Sequence, residues 1–158
     1  MLQIPHLPQT NPQGYNSCVP AAVRMVLAFH GITLGEEELC RLLETQPVGT
    51  SVLNVLLLTQ HISGCHVEVI SASFDDLVRW LQENVPPIVF VSTAPLHYWQ
   101  MKCLHALVVI GIEEQVVWVH DPALAAAPTA IPRDEFLAAW GELAQLAALV
   151  KVSPSQSS

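Results

Sequence analysis

Cys18, His105 and Asp121 are the three residue types from which a thiol nucleophile, its base and the group that orients the base are built. A thiolate attacks a carbonyl carbon, an imidazole moves the proton to the leaving group, and a neighbouring carboxylate fixes the tautomer of the imidazole and stabilises its cation. The chemistry implied is acyl transfer through a covalent thioester. Cys18 begins an apolar stripe through Ala21, Ala22, Met25, Val26, Leu27 and Phe29 that reads as a helix from about Cys18 to His30 and stops at Gly31. Pro20 falls in the first turn, where its missing N–H is harmless. A cysteine there faces unpaired backbone N–H groups and the positive end of the helix dipole, surroundings that suit an anionic sulfur. Ser17 offers a capping oxygen. The plainer alternative for Cys18 is a small, buried apolar side chain.

The base and its orienter fall on two consecutive strand-like runs, Leu104 to Ile112 and Val116 to His120, joined by a turn at Glu113 to Gln115. Hairpin pairing then sets His105 opposite a residue between about 122 and 124, which brings Asp121 within side-chain reach across or diagonal on the neighbouring strand. Each has a plainer reading by itself. His105 could be a core histidine bonded to a carbonyl, and Asp121-Pro122 a strand-ending turn. Cys103 and His105, with His97, His120 and Asp121 nearby, also invite a zinc site, but no second pair at ligand spacing accompanies them. His61 and His66 are isolated. The four tryptophans read as packing residues, and the His97-Tyr98-Trp99 loop as a lining of a substrate cleft.

The remaining pattern supplies the elements that must carry these residues. Met1 to Ser17, with three prolines and a glycine, reads as extended coil. Helices are expected at Glu36 to Glu44, with three acids at the positive end of the dipole, and at about Ser51 to Ile62. A strand at His66 to Ile70 follows, then a helix from Phe74 to about Asn84 capped by Ser73, and a buried strand at Ile88 to Val91 after Pro86-Pro87. A helix from Arg133 to about Leu143 and a strand near Ala147 to Val152 complete an α+β plan, with N-terminal helices packed on an antiparallel sheet. A single domain over 1–152 and a disordered tail at 153–158 are expected.

Composition narrows the function classes. A formal charge of −8 argues against a nucleic-acid partner, which needs clustered Lys and Arg. The chain is 51% hydrophobic and only 13% charged, yet its apolar runs fall well below the ~18 residues of a membrane span. Four cysteines with neither a CxxC pair nor a secretory signal make a disulfide framework unfavourable, and a cytoplasmic location with reduced thiols is expected.

Three blocks in order, YNSCVPAAVRMVLAFHG (Tyr15 to Gly31), HALVVIGIEEQVVWVHDP (His105 to Pro122) and FLAAW (Phe136 to Trp140), resemble family thirty-nine of the cysteine peptidases. These are the bacteriocin-processing, double-glycine leader peptidases and their stand-alone relatives. The resemblance implies a papain-like fold in a stand-alone member, with Cys18 as nucleophile, His105 as general base and acid, and Asp121 as orienter. It also implies a glutamine upstream of the cysteine that donates to the oxyanion. Gln13 is the nearest candidate, one position closer to the cysteine than is usual in the family, and Gln9 is the less favoured substitute. Val19 stands where the family usually has glycine, and Ser17 where it often has aspartate. A peptide or protein substrate cut after small residues such as Gly-Gly, association with an exporter, and no cofactor or metal are the further implications. Two alternatives share these residues: an enzyme that passes the acyl group to an amine or thiol instead of water, and a peptide-binding module without turnover.

Overall fold

The computed structural model describes residues 1–154; of the expected tail, 155–158 lie outside the described residues. After a 3₁₀ turn at Pro12–Gly14 come α1 (Cys18–Phe29) and α2 (Glu36–Leu42), and a 3₁₀ segment at Val52–Leu57 runs into α3 (Leu58–His61). Then follow β1 (Cys65–Ser71), α4 (Phe74–Gln82), β2 (Ile88–Ser92), β3 (Leu104–Ile112), β4 (Val116–His120), β5 (Thr129–Pro132), α5 (Arg133–Gly141) and β6 (Leu146–Val152). The strands pair antiparallel in one sheet of order β1-β6-β2-β3-β4-β5.

Helices cover both faces, which is why β2 is apolar at every position from Ile88 to Val91 instead of alternating. Ile88 and Phe90 join Ala106, Val108, Ala148 and Val150 against Ala22, Met25 and Val26 of α1. Val89 and Val91 enter the opposite core with Leu77 and Trp80 of α4 and with Phe136 and Trp140 of α5. The strand period of two thus sorts each apolar run between two cores. α1 is buried almost all round, as expected for a helix laid across the sheet and under loops.

Differences from the sequence expectation have local causes. The helix expected over Ser51 to Ile62 is a 3₁₀ segment followed by a single α-helical turn. Its two buried side chains, Val55 and Leu58, are three apart, the spacing that a three-residue turn aligns. β5 escapes the pattern because it is four residues long, ends in Pro132 and buries only Ile131. It lies at the sheet edge, where a missing N–H is tolerated. The predicted cap at Ser73 is present as a reciprocal pair: Asp76 N–H donates to Ser73 Oγ at 3.1 Å, and Ser73 N–H to Asp76 Oδ2 at 2.9 Å.

Two arrangements position the chemistry. The N-terminal segment crosses the sheet end, with Leu2 N–H donating to Ile110 O at 2.8 Å and Gln9 N–H to Pro122 O at 2.7 Å. In the β3–β4 hairpin Val108 pairs with His120, and carrying that register to the strand end brings His105 opposite Ala123, inside the window expected from the sequence.

Candidate active site

His105 continues the row of Leu107 and Val109 on β3, and Asp121 continues that of Val117 and Val119 on β4, so both project on the same side of the sheet end. The imidazole is 5% exposed and donates Nε2–H to Asp121 Oδ1 at 2.6 Å. Asp121 is fully buried and accepts three further bonds: Ala123 N–H on Oδ1 at 2.9 Å, the Tyr98 hydroxyl on Oδ2 at 2.7 Å and Trp99 Nε1–H on Oδ2 at 3.1 Å. Burial pushes this carboxyl up, but the hydrogen bond and charge of His105, together with the Ala123 and Tyr98 donors, outweigh burial and hold it below its ordinary value. Burial and the Asp121 charge in turn raise the Tyr98 phenol, so it stays a donor.

Tyr98 and Trp99 therefore serve the carboxylate, whereas their sequence suggested a cleft lining. The available signal was a pair of aromatics with polar tips on a loop preceding the histidine strand. The Trp99 ring also packs on His105, with centroids 4.7 Å apart and an interplanar angle of 59°. The loop is tied to α5, because His97 N–H and Nδ1–H both donate to Glu135 Oε1, at 2.9 and 2.7 Å. Tyr98→Phe removes one donor from a buried anion and is expected to lower stability by about 1.5–3 kcal/mol. Acid denaturation should begin at higher pH in this variant, because Asp121 loses a group that depresses its pKa; pH-dependent thermal melts of variant and wild type check both.

Cys18, 6% exposed, is the first residue of α1, at the end of the sheet where β3 begins. With Nε2 committed to Asp121, the imidazole borders the same groove as Cys18. Burial disfavours the imidazolium, but hydrogen bonds to Asp121 and Cys18 and the negative charges of both overcome it and raise His105 to about 10. The thiol faces a mostly apolar groove of about 260 Å³ bordered by Asn16, Val19, Gly49, Leu104 and His105. Ser17 does not cap α1 as expected. Its hydroxyl donates to Glu36 Oε1 at 2.5 Å, while Asn16 Oδ1 accepts the Cys18 N–H at 3.3 Å.

Gln13 is exposed, with φ of 60°, and borders a different cleft, with Tyr15, Glu38 and Arg41. The structure does not bring it to the Cys18 groove. Gln9 is anchored through its backbone next to Asp121, on the Pro122 carbonyl, and its Oε1 is buried without a hydrogen-bond partner. The side chains grouped above as candidate zinc ligands are dispersed among other partners. His97 bonds Glu135, His105 bonds Asp121, His120 Nε2–H donates to Ile4 O at 2.7 Å, and Cys103 Sγ lies 3.6 Å from Thr93 Oγ1.

A helix that opens on a cysteine and packs on an antiparallel sheet bearing a histidine and an aspartate is the arrangement of the papain-like cysteine peptidases. Residues 6–151 match the model of the Peptidase C39 family, and the chain belongs to that family. It is 28% identical, over 144 residues and 90% of its length, to the pediocin PA-1 transport/processing ATP-binding protein PedD of Pediococcus acidilactici. It spans only 19% of that relative's length. The peptidase domain of Streptococcus ComA, a bi-functional ABC transporter involved in a quorum-sensing pathway, shares the fold with a TM-score of 0.72 at 22% identity, covering 93% of this chain and 97% of that one. A double-glycine-motif protease from an AMS/PCAT transporter, solved with its leader peptide, has a TM-score of 0.72 at 19% identity, covering 96% of this chain and 93% of the other. Among the described residues no helix is long and apolar enough to cross a membrane.

Proposed function

We propose that this cysteine peptidase hydrolyses peptide bonds with Cys18 as nucleophile, His105 as general base and acid, and Asp121 as orienter, cutting after small residues such as Gly-Gly in a leader peptide. The observation that carries this reading is the buried His105 imidazole bonded to the Asp121 carboxylate at the groove that Cys18 also lines. The Cys18 sulfur, its proton on His105, attacks the scissile carbonyl. His105 protonates the departing amine, then takes a proton from water as that water attacks the thioester and releases the acid. Asp121 stays ionised throughout and stabilises the imidazolium. The mostly apolar groove beside Val19, about 260 Å³, suits small residues at the cut. Residues 1–152 form the catalytic unit, acting on a cytoplasmic peptide in association with an exporter.

Gln9, not Gln13, is the side-chain donor to the oxyanion in this reading. Gln9 is half-buried and its backbone N–H is fixed on the Pro122 carbonyl, which sets this glutamine, whose amide Nε2–H can donate, beside the turn that carries Asp121. The second donor is the Cys18 N–H, whose bond to Asn16 Oδ1 at 3.3 Å is long enough for an incoming oxyanion to displace. Gln9→Ala is expected to lower kcat on the order of a hundredfold or more, the usual effect of losing one such donor. Gln13→Ala should stay within about twofold of wild type. Steady-state kinetics on the two variants would reverse the assignment if the losses were exchanged.

The test of the whole reading pairs cleavage with labelling. A peptide carrying an internal Gly-Gly is incubated with the protein and the products are weighed by mass spectrometry. The pH dependence of iodoacetamide alkylation is followed at all four cysteines in wild type and His105→Ala. Cleavage after Gly-Gly, with Cys18 labelled far faster than Cys40, Cys65 and Cys103 and its advantage lost in His105→Ala, is the expected result. A Cys18 that labels no faster than the others, in a protein that cuts no peptide, overturns it.

A further inference from the structure

Glu36, at the start of α2, is a buried carboxylate that the proposed reaction does not use; it is 5% exposed, while its neighbours Glu37 and Glu38 face solvent. Both of its oxygens are taken up by one stretch of chain. Thr10 N–H donates to Oε1 and Oε2 at 3.0 and 2.8 Å, the Thr10 hydroxyl to Oε2 at 3.1 Å, and Asn11 N–H to Oε1 at 3.2 Å. From the far end of the same stretch the Ser17 hydroxyl donates to Oε1 at 2.5 Å. The ends of this stretch are the two places the chemistry depends on. Thr10 follows Gln9, and Ser17 precedes Cys18.

A carboxylate accepts and cannot donate, and inside a protein it is tolerated only where donors converge on it. The donors here belong to a loop whose other ties include backbone bonds, Gly14 N–H to Asn11 O at 2.9 Å, Tyr15 N–H to Pro12 O at 3.2 Å and Asn16 N–H to Pro47 O at 3.2 Å. Asn11, Gln13 and Gly14 have φ of 53°, 60° and 74°, a region that side chains other than glycine rarely enter, and two such residues in a short loop need their surroundings to hold them. Charge-assisted bonds at both ends supply that hold. We propose that Glu36 is a positioning residue of the peptidase, fixing the spacing between the Gln9 amide and the Cys18 turn so that both oxyanion donors meet one carbonyl oxygen. The proposal rests on the reading of Cys18 as nucleophile and Gln9 as donor given above.

The experiment compares wild type, Glu36→Gln, Ser17→Ala, Gln9→Ala and the double variant Gln9→Ala/Glu36→Gln. Glu36→Gln keeps the size of the side chain but turns one acceptor oxygen into a donor that confronts Thr10 N–H or the Ser17 hydroxyl. Rates on the Gly-Gly peptide are expressed per Cys18 alkylated by iodoacetamide in the rapid phase below about pH 7, where the ordinary thiol of a misfolded chain stays protonated and does not count. A fall in kcat of at least about tenfold is expected, since misplacement by about 1 Å can cost a hundredfold, with KM within about threefold. Amide exchange over residues 9–18 should quicken while that of β2 and β3 stays unchanged. Ser17→Ala, which removes one donor from the cluster, should show a smaller loss in the same direction and carries the test if Glu36→Gln does not fold. The double variant should be no slower than Gln9→Ala.

Unchanged exchange over 9–18, a kcat per titrated Cys18 within about twofold of wild type, or losses that multiply in the double variant overturn the proposal. A purely structural role would lower stability and leave kcat per titrated site intact. A wild type that cuts no peptide ends the peptidase reading, and the exchange result then decides by itself whether Glu36 anchors the loop.

Discussion

His105→Ala is expected to lower kcat on the Gly-Gly peptide by a factor on the order of 10⁴–10⁶, and Cys18→Ala to lower it as far. The imidazole carries three duties: it accepts the thiol proton, presents a cation to the sulfur, and returns the proton to the amine. No neighbour can take them over. Tyr98 and Trp99 are donors committed to Asp121, and His120 is committed to the Ile4 carbonyl. Because nucleophile and base act as a unit, the double variant Cys18→Ala/His105→Ala should be no slower than either single one. Single-turnover rates measured on all three check this, and multiplicative losses would mean that the two residues do not share a step.

Asp121→Asn carries the second large effect, and it extends to folding. The carboxylate sits where four donors converge, so exchanging one oxygen for an NH₂ sets donor against donor and leaves a buried imidazole without its charge partner. Removing one partner of a buried ion pair costs roughly 3–5 kcal/mol, which for a chain of this size is a fall in Tm of about 10 °C or more. kcat should fall on the order of 10⁴-fold, because the wrong tautomer of His105 is then favoured.

The pair also shapes stability against pH. Asp121 is depressed in the folded state, so its contribution is fully present above the unfolded carboxyl value of 3.8 and is lost as pH falls through its lower folded value. His105 is raised, so its contribution is fully present below the unfolded value of 6.5 and is lost as pH rises through about 10. Wild-type stability from this pair should therefore be level between about pH 4 and 6.5 and decline on both sides. Asp121→Asn should flatten both limbs. Urea denaturation from below about pH 4 to about pH 10 measures both limbs, and a variant with the wild-type profile would show that the pair does not control the pH dependence.

What the amino-acid sequence determined by itself was periodicity and order. An apolar stripe of period 3.6 after Cys18, two short apolar runs around a three-residue turn, and fully apolar β2 specify a helix, a hairpin and a doubly covered strand, because pattern and run length decide which side chains can leave water together. The hairpin register then limited Asp121 to a few positions from His105, close enough to pair them. Short or weakly patterned elements were not legible. β5 buries one side chain, and Val52–Leu57 buries one, too few for a period to show.

Tertiary structure alone decided what depends on groups distant in the chain. Gln13 stands nearer to Cys18 in sequence, but left-handed backbone at Asn11 and Gln13 turns the loop so that Gln13 faces solvent and Gln9 lies against Pro122. Glu36 is one of three acids that suit a helix N-terminus equally well. Only the packing of α2 against the N-terminal segment singles it out as the acceptor for Thr10, Asn11 and Ser17. Two of the donors on Asp121, Tyr98 and Trp99, come from a loop more than twenty residues earlier in the chain. Local pattern sets which elements form, because burial is read along one helix or strand; which polar groups meet is set by where those elements dock, since a buried charge takes its partners from whatever surrounds it.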